Sequence, residues 1–406
     1  MESLRELYRF GPGPSSSHTI GPKRALLKFI DKYPNATNYE VILYGSLALT
    51  GKGHLTDYIL QKTSSPKMCK VIFDIESQVE HPNTMDLIAY DDGLEIARLR
   101  AFSLGGGRIS FQNEKNEKTI DVFPFNSMKM IKETLKKENI DLPTLVYRYD
   151  DGIKPYLYEV LEKMFNCVER GLNATGIIPG ALKLEKVAKD LYLEALNLDV
   201  SEKNSSERTK MLVTSYAYAV SEENASGGEI VTAPTCGASG VVPAILYYFY
   251  KHQGVKKEKL IDALAVGGVI GNLVKTNASI SGAVGGCQAE IGTACSMAAS
   301  MAAYLFELNI HQIEYASEVA MEHHLGLTCD PVLGYVQIPC IERNGVAALR
   351  AYDAAIYGRY ISKYRRNRVS FDDVIAVMKE TGDHLKQDYK ETSLGGLAKN
   401  YLEKGR

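Results

Sequence analysis

Three of the seven cysteines in this 406-residue chain lie in segments where thiolates from different loops can converge on a metal. Cys287 follows Gly-Gly, Cys329 precedes Asp-Pro, and Cys340 follows a proline. No Cys-x-x-Cys pair occurs in the sequence, so the spacing is not that of a zinc finger. Three thiolates can hold an iron–sulfur cluster in which one iron lacks a protein sulfur and is open to Lewis-acid chemistry. On spacing alone, three buried free thiols are the alternative.

Two glycine-rich segments precede predicted apolar helices. Residues 232–240 read Thr-Ala-Pro-Thr-Cys-Gly-Ala-Ser-Gly, and residues 277–287 read Asn-Ala-Ser-Ile-Ser-Gly-Ala-Val-Gly-Gly-Cys. Backbone N–H groups at such helix N-termini suit a carboxylate or another anion. We therefore predict that Asn277, Ser279 and Ser281 contact a substrate. The alternative is that the glycines only permit close helix packing.

Two histidines near the N-terminus lie in loop-like sequence and are candidates for acid–base chemistry. His18 follows three serines, and His54 follows Gly53 three residues before Asp57. A carboxylate next to such a histidine can hold one tautomer and tune the imidazole as a general base. For each histidine, the alternative is a side chain that only stabilises a turn.

The composition excludes several classes of protein. The chain is 45% hydrophobic and 24% charged, which is typical of globular proteins and excludes collagen, coiled coil and disorder. Its 47 basic and 49 acidic residues give a net charge of -2, so we expect no binding to nucleic acid or to a membrane surface. The longest charge-free apolar stretch, residues 291–306, is too short to span a bilayer. The odd cysteine count and the absence of a signal sequence before Gly11 predict a cytoplasmic protein with reduced thiols.

The pattern of elements predicts an α+β fold, with an N-terminal α+β domain at residues 1–125 and a larger all-helical domain at residues 126–406. Gly21-Pro22 opens a helix, and Asp92-Gly93 joins two strands as a hairpin turn. Residues 39–49 read as a strand, whereas residues 11–19 and the polar residues 201–210 read as loops. Helical patterns follow at 128–137, 156–168, 183–196, 212–220, 238–250, 260–274 and 289–306, the last three apolar all round and therefore predicted to be buried.

Motifs along the whole chain resemble those of the iron–sulfur-dependent bacterial L-serine dehydratases. In the first domain they are Pro-Ser-Ser-Ser-His-Thr-Ile-Gly-Pro at 14–22, Tyr-Gly-Ser-Leu-Ala-Leu-Thr-Gly-Lys-Gly-His at 44–54 and Glu-His-Pro-Asn at 80–83. In the second domain they lie at 232–240, 281–290, 326–344 and 389–398. The β–α order within one chain resembles the type 2 form of this family, and the resemblance implies a homodimer.

The resemblance implies deamination of L-serine to pyruvate and ammonia by a 4Fe–4S cluster, without pyridoxal phosphate. Cys287, Cys329 and Cys340 match the cluster ligands. One iron is then left without a protein sulfur and takes the hydroxyl and carboxylate oxygens of the substrate. His54 matches the histidine that removes the α-proton, and His18 belongs to the loop that faces the substrate. The residues of that loop expected to bind the substrate are Ser15, Ser16, Ser17 and Thr19.

Three other functions are compatible with parts of the sequence. The same chemistry can act on cysteine or threonine, since these side chains differ from serine by one atom or one methyl group. A pyridoxal-phosphate lyase would use Lys275 for the Schiff base and residues 279–286 for the phosphate, but would leave the three cysteines and the two histidines unexplained. A non-catalytic iron–sulfur sensor would leave the anion-suited segments without a role, and such modules generally need four protein ligands.

Overall fold

A small mixed sheet near the N-terminus and a larger helical body make up the chain, which confirms the predicted α+β class. The computed structural model describes residues 1–112, 121–198 and 202–404, except for the side chains of 202–204. Within these ranges, none of the helices combines the length and the apolar character that a bilayer crossing requires.

The sheet orders its strands β3-β2-β4-β5-β6, and a separate ladder pairs β1 with β7. Only the β2–β3 pair of the sheet is parallel within the described residues; the other pairs are antiparallel. The predicted turn at Asp92-Gly93 is confirmed, because it joins β4 to β5. The strands are β1 (Phe10–Pro12), β2 (Asn38–Tyr44), β3 (Met68–Asp74), β4 (Thr84–Asp91), β5 (Leu94–Gly105), β6 (Arg108–Phe111) and β7 (Glu229–Val231).

The helices follow the predicted order, and the helix opened by Gly21-Pro22 is confirmed as α1. In the first third of the chain they are α1 (Gly21–Lys32), α2 (Ser46–Thr50) and α3 (Thr56–Ser64). The helical body contains α4 (Met128–Glu138), α5 (Leu142–Tyr149), α6 (Ile153–Asn173), α7 (Ala188–Asn197), α8 (Glu202–Ala225), α9 (Val241–His252), α10 (Lys257–Asn277), α11 (Gly282–Gly285), α12 (Thr293–Leu305), α13 (Ile310–Glu322), α14 (Cys340–Tyr360), α15 (Phe371–His384) and α16 (Gly396–Glu403).

Helices α10 and α12 form the centre of the helical body and are buried along almost their whole length, as predicted. Glycine and alanine allow the two helices to approach closely. A Cβ added at Gly267 would meet the Met301 side chain, and one added at Gly271 would meet Met297. The small residues of these helices therefore provide the close packing that positions the segments on either side of them.

Four sequence predictions differ from the structure. The helix predicted at 183–196 begins only at Ala188, because Lys183 has a positive φ and Glu185 forms a bridge with Ile177. Residues 11–19 are not wholly a loop, because residues 16–20 form one π-helical turn that Ser15 caps by accepting a hydrogen bond from the N–H of His18. Small polar side chains that bond to nearby backbone can close such a turn. The predicted strand at 39–49 ends at Tyr44, and its last residues form α2. The predicted loop at 201–210 is the first part of α8, where Glu, Lys and Arg are good helix formers; residue 201 lies outside the described ranges.

The N-terminal segment contributes to the core of the helical body. Leu4 and Tyr8 are fully buried there, and the Tyr8 hydroxyl donates a hydrogen bond to the Leu264 carbonyl at 3.0 Å. Phe123 and Phe125 belong to the same apolar cluster, while α1, α3 and the sheet have a core of their own. The chain therefore crosses between the two bodies more than once, and the division at residue 125 stays a prediction.

Candidate active site

His18 and His54 stack on each other in the interior of the protein. Their ring centroids are 4.4 Å apart with an interplanar angle of 27°, and the residues are 0% and 1% exposed. His18 lies in the π-helical turn, and His54 lies between α2 and α3. Two threonines tie these segments together: Thr19 donates to the carbonyl of His54 at 2.8 Å, and Thr56 donates to the carbonyl of His18 at 2.7 Å. The two sequence motifs thus form one buried imidazole pair.

The hydrogen-bond partner of His54 assigns its tautomer. Its Nδ1 lies 2.8 Å from the carbonyl oxygen of Thr50. Because a carbonyl only accepts, Nδ1 carries the hydrogen and Nε2 keeps a free lone pair. Burial lowers the pKa of His54 to about 4, although the Thr50 hydrogen bond opposes the shift. His54 is therefore neutral at neutral pH, with Nε2 able to accept a proton.

His18 has the opposite tautomer. The Ser46 hydroxyl donates its hydrogen to the backbone carbonyl of Glu391 at 2.7 Å, so it accepts from Nε2 of His18, 3.1 Å away. Nδ1 of His18 then accepts from the hydroxyl of Ser17 at 2.8 Å. Burial, and next the neighbouring His54, hold the pKa of His18 well below its ordinary value. Hydrogen bonds therefore occupy both nitrogens of this ring, which fixes its orientation.

A third side chain, Glu391, faces both imidazoles. One carboxylate oxygen lies 3.6 Å from Nδ1 of His18 and 3.8 Å from Nε2 of His54. Burial, and next the charge of Cys287, raise the pKa of this carboxyl to about 8. Sequence reasoning did not single out Glu391. The available signal was its place in the motif at 389–398, which comes from the opposite end of the chain.

Glu391 also connects the imidazole pair to one of the predicted cluster ligands. Its N–H donates to the carbonyl of Cys329 at 2.8 Å, and the N–H of Cys329 donates to the carbonyl of Tyr389 at 2.8 Å. The two segments thus form a short ladder of backbone hydrogen bonds. Glu391 therefore faces the two histidines with its carboxylate and is paired through its backbone with a cysteine of the helical body.

Two of the predicted ligands, Cys287 and Cys340, lie at the ends of helical segments, and Cys329 lies in a β-bridge with Lys390; the three interact electrostatically. Cys287 and Cys329 are buried, and Cys340, the first residue of α14, is partly buried. The pKa of Cys287 is lowered to about 6, chiefly because Cys329 donates a hydrogen bond to it. Burial opposes this shift, and the positive charge of Arg343 adds to it. Burial, and next the charge of Cys287, raise the pKa of Cys340. The three thiols thus lie close enough to influence one another.

The donor set fits an iron–sulfur cluster. Thiolates are the ligands that such clusters prefer, and three of them from separate segments leave one iron without a protein sulfur. Arg343 supplies a positive charge beside the cysteines, and its guanidinium is held by the carbonyl of Thr328 at 2.7 Å. Asp330 lies 3.6 Å from the same guanidinium.

Asn344 ties the glycine-rich segment at 232–240 to the helix that carries Cys340. Its side-chain oxygen accepts from the N–H of Gly240 at 2.9 Å. Its amide donates to the carbonyls of Gly237 and Cys340 at 2.7 and 2.8 Å. Sequence reasoning placed this asparagine within a family motif but gave it no role. The contacts show that the segment packs beside the cysteine site.

Two family models match successive parts of the chain. Residues 3–61 match the family model described as serine dehydratase beta chain, and residues 83–398 match the model described as serine dehydratase alpha chain. The L-serine dehydratase of Haemophilus influenzae is 36% identical over 98% of this chain and 99% of its own length. That of Streptomyces coelicolor is 36% identical over 99% of both chains, and L-serine dehydratase 1 of Escherichia coli is 36% identical over 98% and 99%.

The chain belongs to the serine dehydratase family. The resemblance that the motifs indicated is thereby confirmed. Family membership does not by itself assign a role to each site residue, and these roles are argued from the positions of the residues in the structure.

The serines of the N-terminal loop are buried in this serine dehydratase, and several of them have structural partners. Ser15 caps the π-helical turn, and Ser17 bonds to His18. Thr19 accepts from the N–H of Ser15 at 3.2 Å while it donates to the loop that carries His54. Ser16 is also buried, at 3% exposure. These side chains shape the imidazole pair, and their contact with substrate stays a prediction.

The predicted substrate contacts at 277–281 lie beside α11. Asn277 is exposed and donates to the carbonyls of Asn126 and Leu273 at 2.8 and 2.9 Å, so its amide already has two partners. Ser279 accepts from the N–H of Ser281 at 3.0 Å, and Ser281 is buried. Their role in binding substrate also stays a prediction.

Lys275 is paired with the N-terminal segment. Its ammonium lies 2.5 Å from a carboxylate oxygen of Glu2 and donates to the carbonyl of Glu6 at 3.0 Å. A lysine that forms a Schiff base must present a free amine to the cofactor. The ion pair therefore argues against the pyridoxal-phosphate alternative.

The loop that carries His54 docks closely on the helical body. A Cβ added at Gly53 would lie 2.5 Å from the carbonyl oxygen of Gly334 and 2.6 Å from its carbonyl carbon. Both atoms belong to backbone, so neither can move aside as a flexible side chain would. The absence of a side chain at Gly53 therefore sets the distance between the His54 loop and the helical body.

We expect Gly53→Ala to lower kcat with L-serine by about 10²-fold, since a displacement of about 1 Å of a catalytic group has an effect of this order. Steady-state kinetics on anaerobically prepared protein measures this effect, and thermal unfolding checks that the fold persists. Lys52→Ala, at the exposed neighbouring position, is the control and should change kcat little. Equal kcat values for Gly53→Ala and the unmodified protein would show that this contact does not position His54.

Proposed function

We propose that this serine dehydratase converts L-serine to pyruvate and ammonia, with a 4Fe–4S cluster held by Cys287, Cys329 and Cys340. Family membership makes the chain a lyase that acts on a small amino acid. The observation that supports the site is the position of Glu391, which faces His18 and His54 while its backbone is paired with Cys329. This position supports a site in which a base and a set of metal ligands come from different parts of the chain.

The reaction has two chemical difficulties. The α-proton of serine is weakly acidic, and hydroxide is a poor leaving group. A cluster with one iron free of protein sulfur supplies Lewis-acid chemistry, which withdraws charge from the carboxylate and from the hydroxyl oxygen of the substrate. The remaining requirement is a base within reach of Cα.

His54 supplies that base in our proposal. Nε2 has a free lone pair because Thr50 accepts the hydrogen of Nδ1. The α-proton passes to Nε2, the Cβ–O bond breaks to release hydroxide, and the hydroxide takes up the proton from Nε2 to leave as water, which gives 2-aminoacrylate. This enamine tautomerises to an imine, which water hydrolyses to pyruvate and ammonia. The chain therefore has to move one proton, and the burial of the site keeps bulk water away from the base.

His18 has a positioning role. It stacks on His54, and its own nitrogens are held by Ser17 and Ser46. The stacked ring limits the rotation of His54 and thereby keeps Nε2 directed towards Glu391. We also propose the cytoplasm as the location and a homodimer as the assembly, as the sequence and the family resemblance imply.

The direct test is turnover of candidate amino acids by protein purified without oxygen. We expect pyruvate and ammonia from L-serine, and a lower kcat/KM with L-threonine or L-cysteine. Iron and acid-labile sulfide are determined on the same sample. Protein that contains both but deaminates none of the three amino acids would contradict the proposed function. A preference for L-threonine or L-cysteine would correct the substrate.

A further inference from the structure

Glu391 is a buried carboxylate with an unsatisfied oxygen. The backbone N–H of Ala283 bonds to the carboxyl group. Its second oxygen, Oε2, has no hydrogen-bond partner in the described part of the chain, and the residue is 5% exposed. A buried acceptor without a donor costs about 1–3 kcal/mol, and more when it is charged. Such an atom indicates a partner that the protein chain itself does not provide.

The imidazoles that face Glu391 do not provide the missing hydrogen. Nδ1 of His18 accepts from Ser17, and Nε2 of His54 has a lone pair. Their distances to the carboxylate, 3.6 and 3.8 Å, also exceed those of hydrogen bonds. In its ionised form Glu391 thus faces two acceptors, and a partner that satisfies it carries hydrogens and positive charge.

A single metal ion is one such partner, because donor atoms of His18, His54 and Glu391 all lie within 4.8 Å of one another. The geometry of the rings argues against it. The two imidazole planes are stacked with an angle of 27° between them, and each lone pair lies in the plane of its own ring, whereas ligands of one ion must direct theirs to a single point about 2.0–2.1 Å away. Ser17 also occupies the lone pair of His18. An ammonium group needs no such convergence, since its hydrogens can bond to the carboxylate alone.

We propose that Glu391 binds the α-ammonium group of the substrate through Oε2 and thereby places Cα beside His54. This inference rests on the proposed function, which assigns the hydroxyl and carboxylate of L-serine to the cluster and leaves the ammonium as the charged group without a partner. The ammonium and the α-hydrogen are attached to the same carbon. Oε1 of the same carboxyl group lies 3.8 Å from Nε2 of His54, so an ammonium group bound by Glu391 brings the α-hydrogen near the base.

The pairing also explains how the site tolerates a buried carboxylate. Without a cation, burial makes ionisation of Glu391 unfavourable. A bound ammonium group compensates for the lost hydration through charge and hydrogen bonds together. Substrates that lack the amine leave the carboxylate unsatisfied, so the enzyme should select against them.

The test compares L-serine with 3-hydroxypropionate, which keeps the hydroxyl and the carboxylate but has no amine. In Glu391→Gln the side chain keeps its size and loses its charge. We expect KM for L-serine to rise about 10- to 100-fold, the effect of losing one hydrogen bond to a charged group. The competitive inhibition constant of 3-hydroxypropionate should stay unchanged. Glu391→Asp, which keeps the charge, should recover part of the affinity for L-serine.

Glu222→Gln is the matched control. Glu222 is also a buried carboxyl, but it accepts from the backbone N–H groups of Val187 and Ala188 at the start of α7. Its replacement should leave both the KM for L-serine and the inhibition constant of 3-hydroxypropionate unchanged. Iron and sulfide content of each variant shows whether the cluster is intact.

Two results would overturn the inference. One is a Glu391→Gln protein whose KM for L-serine is unchanged, or whose KM and inhibition constant rise together, as a structural role would produce. The other needs no variant: unmodified protein that binds 3-hydroxypropionate as tightly as L-serine. Failure of the proposed function itself is distinguishable, because the unmodified protein would then form no pyruvate from L-serine.

Discussion

Cys329→Ala is expected to abolish pyruvate formation and to remove iron from the protein. Loss of one of three thiolates leaves two irons of the cluster without a protein ligand, and ligand atoms cannot be recruited from the surrounding buried chain at no cost. The backbone of Cys329 is held on both sides by Tyr389 and Glu391, so the segment keeps its place when the thiol is removed. The loss should therefore concern the cluster and not the fold. Iron and sulfide analysis measures the cluster content, and circular dichroism measures whether the fold is retained.

Cys69→Ala is the matched control. Cys69 is buried on β3 in the core of the sheet, where burial raises the pKa of its thiol to about 12. It is therefore a protonated core side chain, and its replacement should keep the iron content and the activity. Cys287→Ala and Cys340→Ala should behave as Cys329→Ala does. Full iron content in any of these three variants would remove that residue from the ligand set.

His54→Gln is expected to lower kcat by about 10²- to 10⁴-fold while the iron content stays unchanged, since general-base catalysis contributes an effect of this size. The glutamine keeps a polar side chain but offers no basic nitrogen. L-Serine deuterated at Cα provides a second readout, because a larger isotope effect in the variant indicates that proton removal has become slower. His252→Gln, a change on α9 at a ring bonded to Tyr216, is the control and should be active. Normal turnover by His54→Gln with intact iron would show that another group removes the proton.

The pH profile of the unmodified protein follows from the same residue. A base must be neutral to act, and kcat reports the ionisation of groups in the complex with substrate, where the substrate ammonium keeps Glu391 ionised. Because burial lowers the pKa of His54 to about 4, kcat should stay constant as the pH falls through 6.5, the ordinary value, and decrease only as it approaches 4. An acid limb near 6.5 would mean that the catalytic base is a more exposed group.

Sequence patterns predicted those elements whose cause is local. The proline of Gly21-Pro22 marks the start of α1, the Asp92-Gly93 pair marks a hairpin, and the apolar pattern of α10 and α12 marks buried helices. The start of α8 was missed because polar residues of high helix propensity read as a loop when no apolar face accompanies them. The burial of Leu4 and Tyr8 in the helical body depends on contacts between distant parts of the chain, which periodicity does not reveal.

The residues of the candidate site show the same difference between those that the sequence reveals and those that only the fold reveals. The cysteines and histidines stand out in the sequence because their side chains are rare and chemically specific. Glu391 and Asn344 do not, since Glu and Asn occur in many roles and acquire theirs only through neighbours from other segments. For Ser17 and Thr19 the family resemblance implies substrate contact, and the structure adds hydrogen bonds to His18 and to the His54 loop; the substrate contact itself stays a prediction.

The most direct test of the central claim is Mössbauer spectroscopy of protein reconstituted with ⁵⁷Fe, recorded with and without L-serine. Three cysteine ligands and one iron open to substrate predict that a quarter of the iron signal changes when L-serine is added, while the rest does not. A Mössbauer spectrum that does not change when L-serine is added would contradict the account, and so would pyruvate formation by protein without iron.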